Sequence, residues 1–174
     1  ANFDHAVENL VDGAFFNSGQ SCCGIERIYV HEDLYDRFIE AYVDLTRKYV
    51  LDDPMKADTT LGPMVRGQAA DFVRGQIAEA VARGAKAHID VKAFPKAHAG
   101  SAYCAPQVMT GVDHSMRIMS EESFGPVIGI MKVKSDEDAV RLMNDSQYGL
   151  TAAIWTMDED AAIRIGDAIE TGTW

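Results

Sequence analysis

Residues 127–133 read Val-Ile-Gly-Ile-Met-Lys-Val, and residues 135–137 just beyond them read Ser-Asp-Glu. The first run is short, apolar and rich in β-branched side chains, which is the composition of a strand covered on both faces. The second opens a helix. Ser135 offers a capping oxygen, and the two carboxylates sit where the helix dipole favours negative charge. Val140, Leu142 and Met143 continue that helix, and Asn144 and Gly149 end it. Residues 151–156 then read as another strand and Asp158 as another cap. Ala162, Ile163, Ile165 and Ile169 form a last helix stopped by Gly172. This alternation predicts an α/β domain with a largely parallel sheet flanked by helices.

Towards the N-terminus the same alternation is weaker. Asp4 is placed to cap a helix with apolar positions Val7, Leu10, Val11 and Ala14, spaced by three and four, with Gly19 as its stop. Residues 27–30 read as a strand with Ile28 and Val30 on one face and Tyr29 on the other. Leu34, Phe38, Tyr42, Leu45 and Tyr49 make one stripe of a second helix. Residues 51–63 hold Pro54, Gly62 and Pro63 and read as a loop. Phe72, Ile77, Ala80 and Val81 predict a long helix ending at Gly84. Short strands are expected at 86–91 and 103–109. No internal repeat, low-complexity tract or linker interrupts the chain.

Composition narrows the class of partner. The 174 residues suit one domain, with 47% apolar and 25% charged side chains, as in an ordinary globular protein. The formal net charge of −11 argues against nucleic acid and anionic membrane, which need a basic footprint. No apolar run approaches the roughly 20 residues that cross a bilayer. The three cysteines, Cys22, Cys23 and Cys104, are odd in number and two are adjacent. That is a poor disulfide framework and points to a reducing, cytoplasmic setting with free thiols. The five histidines show no metal-ligand spacing, so no metal is expected. The first residue is Ala, with no leader-like run after it. Thr173-Trp174 falls where a further strand is expected. Residues 1–174 therefore read as a domain cut at both ends from a longer polypeptide.

Two short segments carry chemistry. Residues 15–24 read Phe-Phe-Asn-Ser-Gly-Gln-Ser-Cys-Cys-Gly. A helix ends, a glycine permits a sharp turn, and a thiol pair follows. A cysteine on a turn is reachable, and a turn rich in backbone N–H groups stabilises a thiolate and a developing oxyanion. The competing use of a cysteine is as an inert, small core residue, which is the reading for Cys104. Residues 121–126 read Glu-Glu-Ser-Phe-Gly-Pro and lead into the 127–133 strand. Two carboxylates before a turn are commonly a solvated acidic loop. A carboxylate beside an aromatic ring also suits a nicotinamide ribose, because it accepts hydrogen bonds from the sugar hydroxyls.

Phe-x-Asn-x-Gly-Gln-x-Cys at 15–22 resembles the cysteine signature of aldehyde dehydrogenases, and Glu-Glu-x-Phe-Gly-Pro resembles a second motif of that family. Leu-Gly-Pro-Met at 61–64 and Asn-Asp-Ser-Gln-Tyr-Gly-Leu-Thr-Ala-Ala at 144–153 are similar to further family stretches, so the likeness spans essentially the whole chain. The resemblance implies that Cys22 is the catalytic thiol and that Phe16 and Ser21 line the substrate tunnel. It implies that Glu122 contacts the nicotinamide ribose with Phe124 packing beside it, and that Glu121 is the weaker candidate. Asn17 and Gln20 are expected to hold the turn. The implied reaction is oxidation of an aldehyde by NAD or NADP through a thiohemiacetal and a thioester.

The chain has no Gly-x-Gly phosphate fingerprint. The resemblance places the NAD-binding domain, the general base, the oxyanion Asn and the C-terminal oligomerisation arm outside residues 1–174. It implies a parent homodimer or homotetramer and an isolated chain without turnover, prone to self-association through uncovered apolar surface. Three rival readings stay open on the residues. One is a relative that transfers the acyl group to coenzyme A. One is a non-enzymatic homologue with an idle thiol. The last is a hydrolase pairing Cys22 with a histidine base.

Overall fold

The computed structural model describes residues 2–174. Its sheet has four strands: β1 (Arg27–His31), β2 (Lys86–Ala87), β3 (Gln107–Thr110) and β4 (Val127–Val133). They lie in the order β1-β4-β3-β2. β4 runs parallel to β1, with Arg27 opposite Gly129, and parallel to β3, with Gln107 opposite Val127. β2 closes the other edge antiparallel to β3. The expected α/β class with a largely parallel sheet is what the chain forms.

Among the described residues there are six α-helices: α1 (Phe3–Phe15), α2 (Glu32–Thr46), α3 (Gly67–Ala82), α4 (Arg117–Ser120), α5 (Asp136–Asn144) and α6 (Glu159–Gly166). The alternation along β4 divides its side chains between two cores. Ile128 and Ile130 join Ile28, Val30 and Val108 beneath α1 and α2, around Phe15, Phe38 and the fully buried Tyr42. Val127 joins Met109, Val73, Ala80 and Met119 beneath α3 and α4. Each fully buried side chain of this size contributes about 1.5–3 kcal/mol relative to exposure. Gly129, at the centre of β4, is dictated by packing. A Cβ there would meet the Met119 sulfur, so a larger residue would make that side chain move.

Several local expectations are corrected. The cap of α1 is Asn2, whose Oδ1 accepts from the amides of Asp4 and His5; Asp4 lies in the first turn. In α2 the buried stripe is Phe38, Ile39, Tyr42 and Val43, while Leu34 is exposed and Tyr49 lies past the helix end. In α3 the buried face is Ala70, Val73, Gln76 and Ala80, so Phe72 and Val81 point outward. The 86–91 strand is reduced to Lys86–Ala87; past it, His88 N still donates to Val108 O, and Gln107 Oε1 accepts from the amides of His88 and Ile89. The 103–109 strand starts only at Gln107, which leaves Cys104 just ahead of it and buried.

The largest correction is at 151–156. These residues form no strand of the sheet. Thr151 makes a single parallel bridge with Thr173, and Ala152 N donates to Thr173 O. α6 ends at Gly166, six residues before the expected stop at Gly172. Ser135 and Asp158 cap α5 and α6 as expected, each accepting from the amide three residues on. Among the described residues no helix is long and apolar enough to cross a membrane.

Candidate active site

β1 and β4 are adjacent and parallel, so the segments that precede them emerge at the same edge of the sheet. One of those segments holds Cys22 and the other holds Glu122. This edge is at the amino ends of the strands, opposite the carboxyl-end crevice where open α/β sheets commonly bind ligands.

The turn before β1 is a run of left-handed backbone. Asn17 (φ 50°), Ser18 (φ 58°) and Gly19 (φ 72°) reverse the chain after α1. Single left-handed residues other than glycine cost about 1–2 kcal/mol and persist only where their surroundings hold them. Here the restraints are explicit. Asn17 Nδ2 donates to Gln20 O at 3.0 Å, and Gln20 Nε2 donates back to Asn17 O at 3.0 Å. Ser18 Oγ donates to Gly62 O at 2.7 Å, and Gln20 Oε1 accepts from Val65 N at 2.7 Å. Asn17 and Gln20 thus hold the turn, as the sequence reading has it. The Leu61–Met64 stretch is the surface against which they hold it. Gly19 has a second reason to lack a side chain: a Cβ would lie 2.1 Å from Gly125 O. The two motifs therefore touch backbone to backbone.

Cys22 and Cys23 are both exposed on this turn and both free. Ser21 Oγ lies 3.4 Å from Cys23 Sγ, so the hydroxyl serves the second thiol, not the first. Phe16 presents 64% of its surface to solvent beside the turn. Cys104 is buried, and burial pushes its thiol up to about 11, which suits an inert core residue. The histidines are engaged elsewhere. His31 caps α2, His88 bonds Thr110, and His114 lies between Tyr29 and Asp145. His5 packs against Trp155, and His98 contacts its neighbour Ala99. Among the described residues no three His, Cys, Asp or Glu side chains group to hold a metal ion.

In the loop before β4, Glu121 accepts from Arg117 Nε at 2.9 Å, a pairing within one helical turn. Glu122 is exposed, and so is the Phe124 ring. Phe124 itself is left-handed at φ 45°. Its conformation is held by a residue the sequence reading did not single out. Glu26, at the entry to β1, accepts from Ser123 N at 3.1 Å and from Phe124 N at 3.0 Å, one bond to each carboxylate oxygen. Burial raises the Glu26 carboxyl above its ordinary value, the amides of Phe124 and Ser123 pull it back, and the nearby charge of Glu122 adds to the rise. The signal available in the sequence was a lone acid within Ile25-Glu26-Arg27-Ile28, where a strand is about to enter an apolar core.

Comparison with known proteins gives a consistent picture. The family model described as "Aldehyde dehydrogenase family" matches residues 1–174. An aldehyde dehydrogenase of Davidiella tassiana is 38% identical over 174 residues, which is 99% of this chain and 34% of that protein. Among solved structures, betaine aldehyde dehydrogenase of Staphylococcus aureus in complex with NAD+ superposes with a TM-score of 0.90 at 32% identity. That match covers 99% of this chain and 35% of the other. NADP-dependent glyceraldehyde-3-phosphate dehydrogenase of Bacillus halodurans, complexed with NADP, also gives a TM-score of 0.90 at 32% identity, with the same coverage. The chain spans about a third of the length of the proteins it matches.

Proposed function

The chain belongs to the aldehyde dehydrogenase family, and from that premise we propose that it supplies the nucleophile and the nicotinamide-facing loop of an enzyme oxidising an aldehyde to a carboxylic acid. The observation that carries the reading is the meeting of the Cys22 turn and the Glu122–Phe124 loop at one sheet edge, backbone against backbone at Gly19 and Gly125. The reading takes NAD or NADP as the acceptor, since relatives of both kinds share the fold. It also takes this region to work within a longer, oligomeric polypeptide in the cytoplasm.

In this reading the Cys22 thiolate adds to the aldehyde carbon and forms a thiohemiacetal. Backbone N–H groups of the turn stabilise the oxyanion. Phe16 and Ser21 border the path of the aldehyde. The residues at the loop fit a nicotinamide nucleoside: Glu122 offers two acceptor oxygens for the sugar hydroxyls, and Phe124 offers an exposed ring to pack on. A bound nicotinamide supplies the acceptor for the hydride that leaves the thiohemiacetal carbon, turning it into a thioester. Water then releases the acid, activated by a base beyond residues 1–174.

The test is acid quenching of the full-length protein that carries this chain during turnover with aldehyde and dinucleotide, followed by peptide mapping. An acyl group on Cys22 is expected, and a Cys22→Ala variant should lose aldehyde oxidation by at least about three orders of magnitude, as removal of a nucleophile does. An acyl group on Cys23, or a Cys22→Ala variant that still turns over normally, would defeat the assignment. The 174-residue chain alone should reduce neither NAD nor NADP with aldehyde.

A further inference from the structure

We propose that Glu26 is a positioning residue that sets the nicotinamide-facing loop against the nucleophile turn. The proposal rests on the reading of Cys22, Glu122 and Phe124 given above.

Glu26 follows Cys22 by four residues, on the segment that becomes β1. Its two carboxylate oxygens receive two consecutive amides, Ser123 N at 3.1 Å and Phe124 N at 3.0 Å. Hydrogen bonds to an ionised acceptor are stronger than neutral ones, and a two-point clamp fixes direction as well as distance. The clamp falls on the residue whose backbone needs it most, since Phe124 is left-handed without being glycine. On one side of the clamped amides stands Glu122, and the clamped residue itself carries the exposed ring. The other end of the loop is held separately, where Gly125 abuts Gly19 and the Val73 and Met64 side chains. The two restraints divide the work. Backbone contact at Gly125 anchors the loop to the sheet edge, and Glu26 aims its ligand-facing half.

A carboxylate suits this task better than an amide. It gives each of the two amides its own charged oxygen, whereas glutamine at 26 would offer one neutral oxygen and an NH2 donor in place of the other. A purely structural role would make any loss follow global stability. A positioning role makes the loss follow the dinucleotide.

The experiment compares Glu26→Gln, Glu26→Asp and Glu122→Gln with wild type in the full-length protein, measuring kcat and KM for dinucleotide and aldehyde, thermal midpoint and the rate of Cys22 alkylation without cofactor. For Glu26→Gln, KM for the dinucleotide should rise about tenfold, the loss expected when a charge-assisted hydrogen bond goes. KM for the aldehyde and Cys22 alkylation should stay within about twofold, on the same scale. Amide exchange at Ser123 and Phe124, read in the 174-residue chain, should speed up while the β4 amides stay protected. An unchanged dinucleotide KM in Glu26→Gln, alongside a raised one in Glu122→Gln, overturns the positioning role alone. An unchanged dinucleotide KM in Glu122→Gln overturns the reading beneath it and the proposal together. A loss in Glu26→Gln that tracks a lowered thermal midpoint, with both KM values moving equally, also overturns it. Should Glu26→Gln fail to fold, the same split in Glu26→Asp decides.

Discussion

Val127–Val133 and residues 151–156 are both short apolar runs next to a helix start, yet one is the central strand of the sheet and the other is no strand at all. β4 has neighbours on both sides and helices on both faces, so Val127, Ile128 and Ile130 are within 2% of full burial. In 151–156 Thr151 finds one bridging partner, and Trp155 remains exposed with Tyr148, Leu150 and Met157 nearby in sequence. The difference teaches that an apolar run is only half of a strand. Its amides need a paired edge and its side chains need a covering layer. Residues 134–174 are instead tied to the body by a set of polar contacts. Arg27 donates to Asp145 O and Met143 O, and the Tyr29 hydroxyl donates to Leu142 O and meets His114, which pairs with Asp145.

Three measurements on the 174-residue chain would break or sharpen that contrast. Ile128→Ala should cost the most, about 2–5 kcal/mol in denaturant titration, because it empties a site beneath α1 and α2. A loss below about 1 kcal/mol would mean the β4 core is looser than described. Next is the alkaline limb of stability. Burial holds the Cys104 thiol up at about 11 against an ordinary 9.0. The folded state therefore disfavours the thiolate. Its contribution is intact below the unfolded value and is lost as pH rises from there through the folded one. The loss is about 2–3 kcal/mol in all, and it should vanish in Cys104→Ala. Equal alkaline slopes in the two proteins would place Cys104 outside the core. The smallest effect is expected from Leu150→Ala, within about 0.5 kcal/mol, as for an exposed residue without partners. A larger loss would show that residues 134–174 have a hydrophobic anchor of their own.

The site divides along similar lines. Cys22, Glu122 and Phe124 are proposed from local motifs, and what the structure adds is that their two segments meet at the amino ends of β1 and β4. Asn17 and Gln20 were legible as turn residues from the cysteine motif itself. Ser21 is expected to line the substrate path, and the contact of its hydroxyl with Cys23 Sγ is what the structure adds. Glu26 was not legible, because its partners lie almost a hundred residues further along the chain. Nor was the use of residues 61–65, which present the Gly62 carbonyl and the Val65 amide to the turn that holds Cys22.

By itself the sequence determined the quantities that depend on near neighbours: the caps at Ser135 and Asp158, the strand character of Val127–Val133, the sharp turn at Gly19, and the two motifs with their thiol and carboxylates. Those follow from side-chain shape and from hydrogen bonds a few residues long. Only the tertiary structure decided which face of α3 is buried and which apolar run joins the sheet. It alone brought the loops before β1 and β4 to one edge. These outcomes depend on register and close packing between segments far apart in the chain, such as the backbone approach of Gly19 to Gly125.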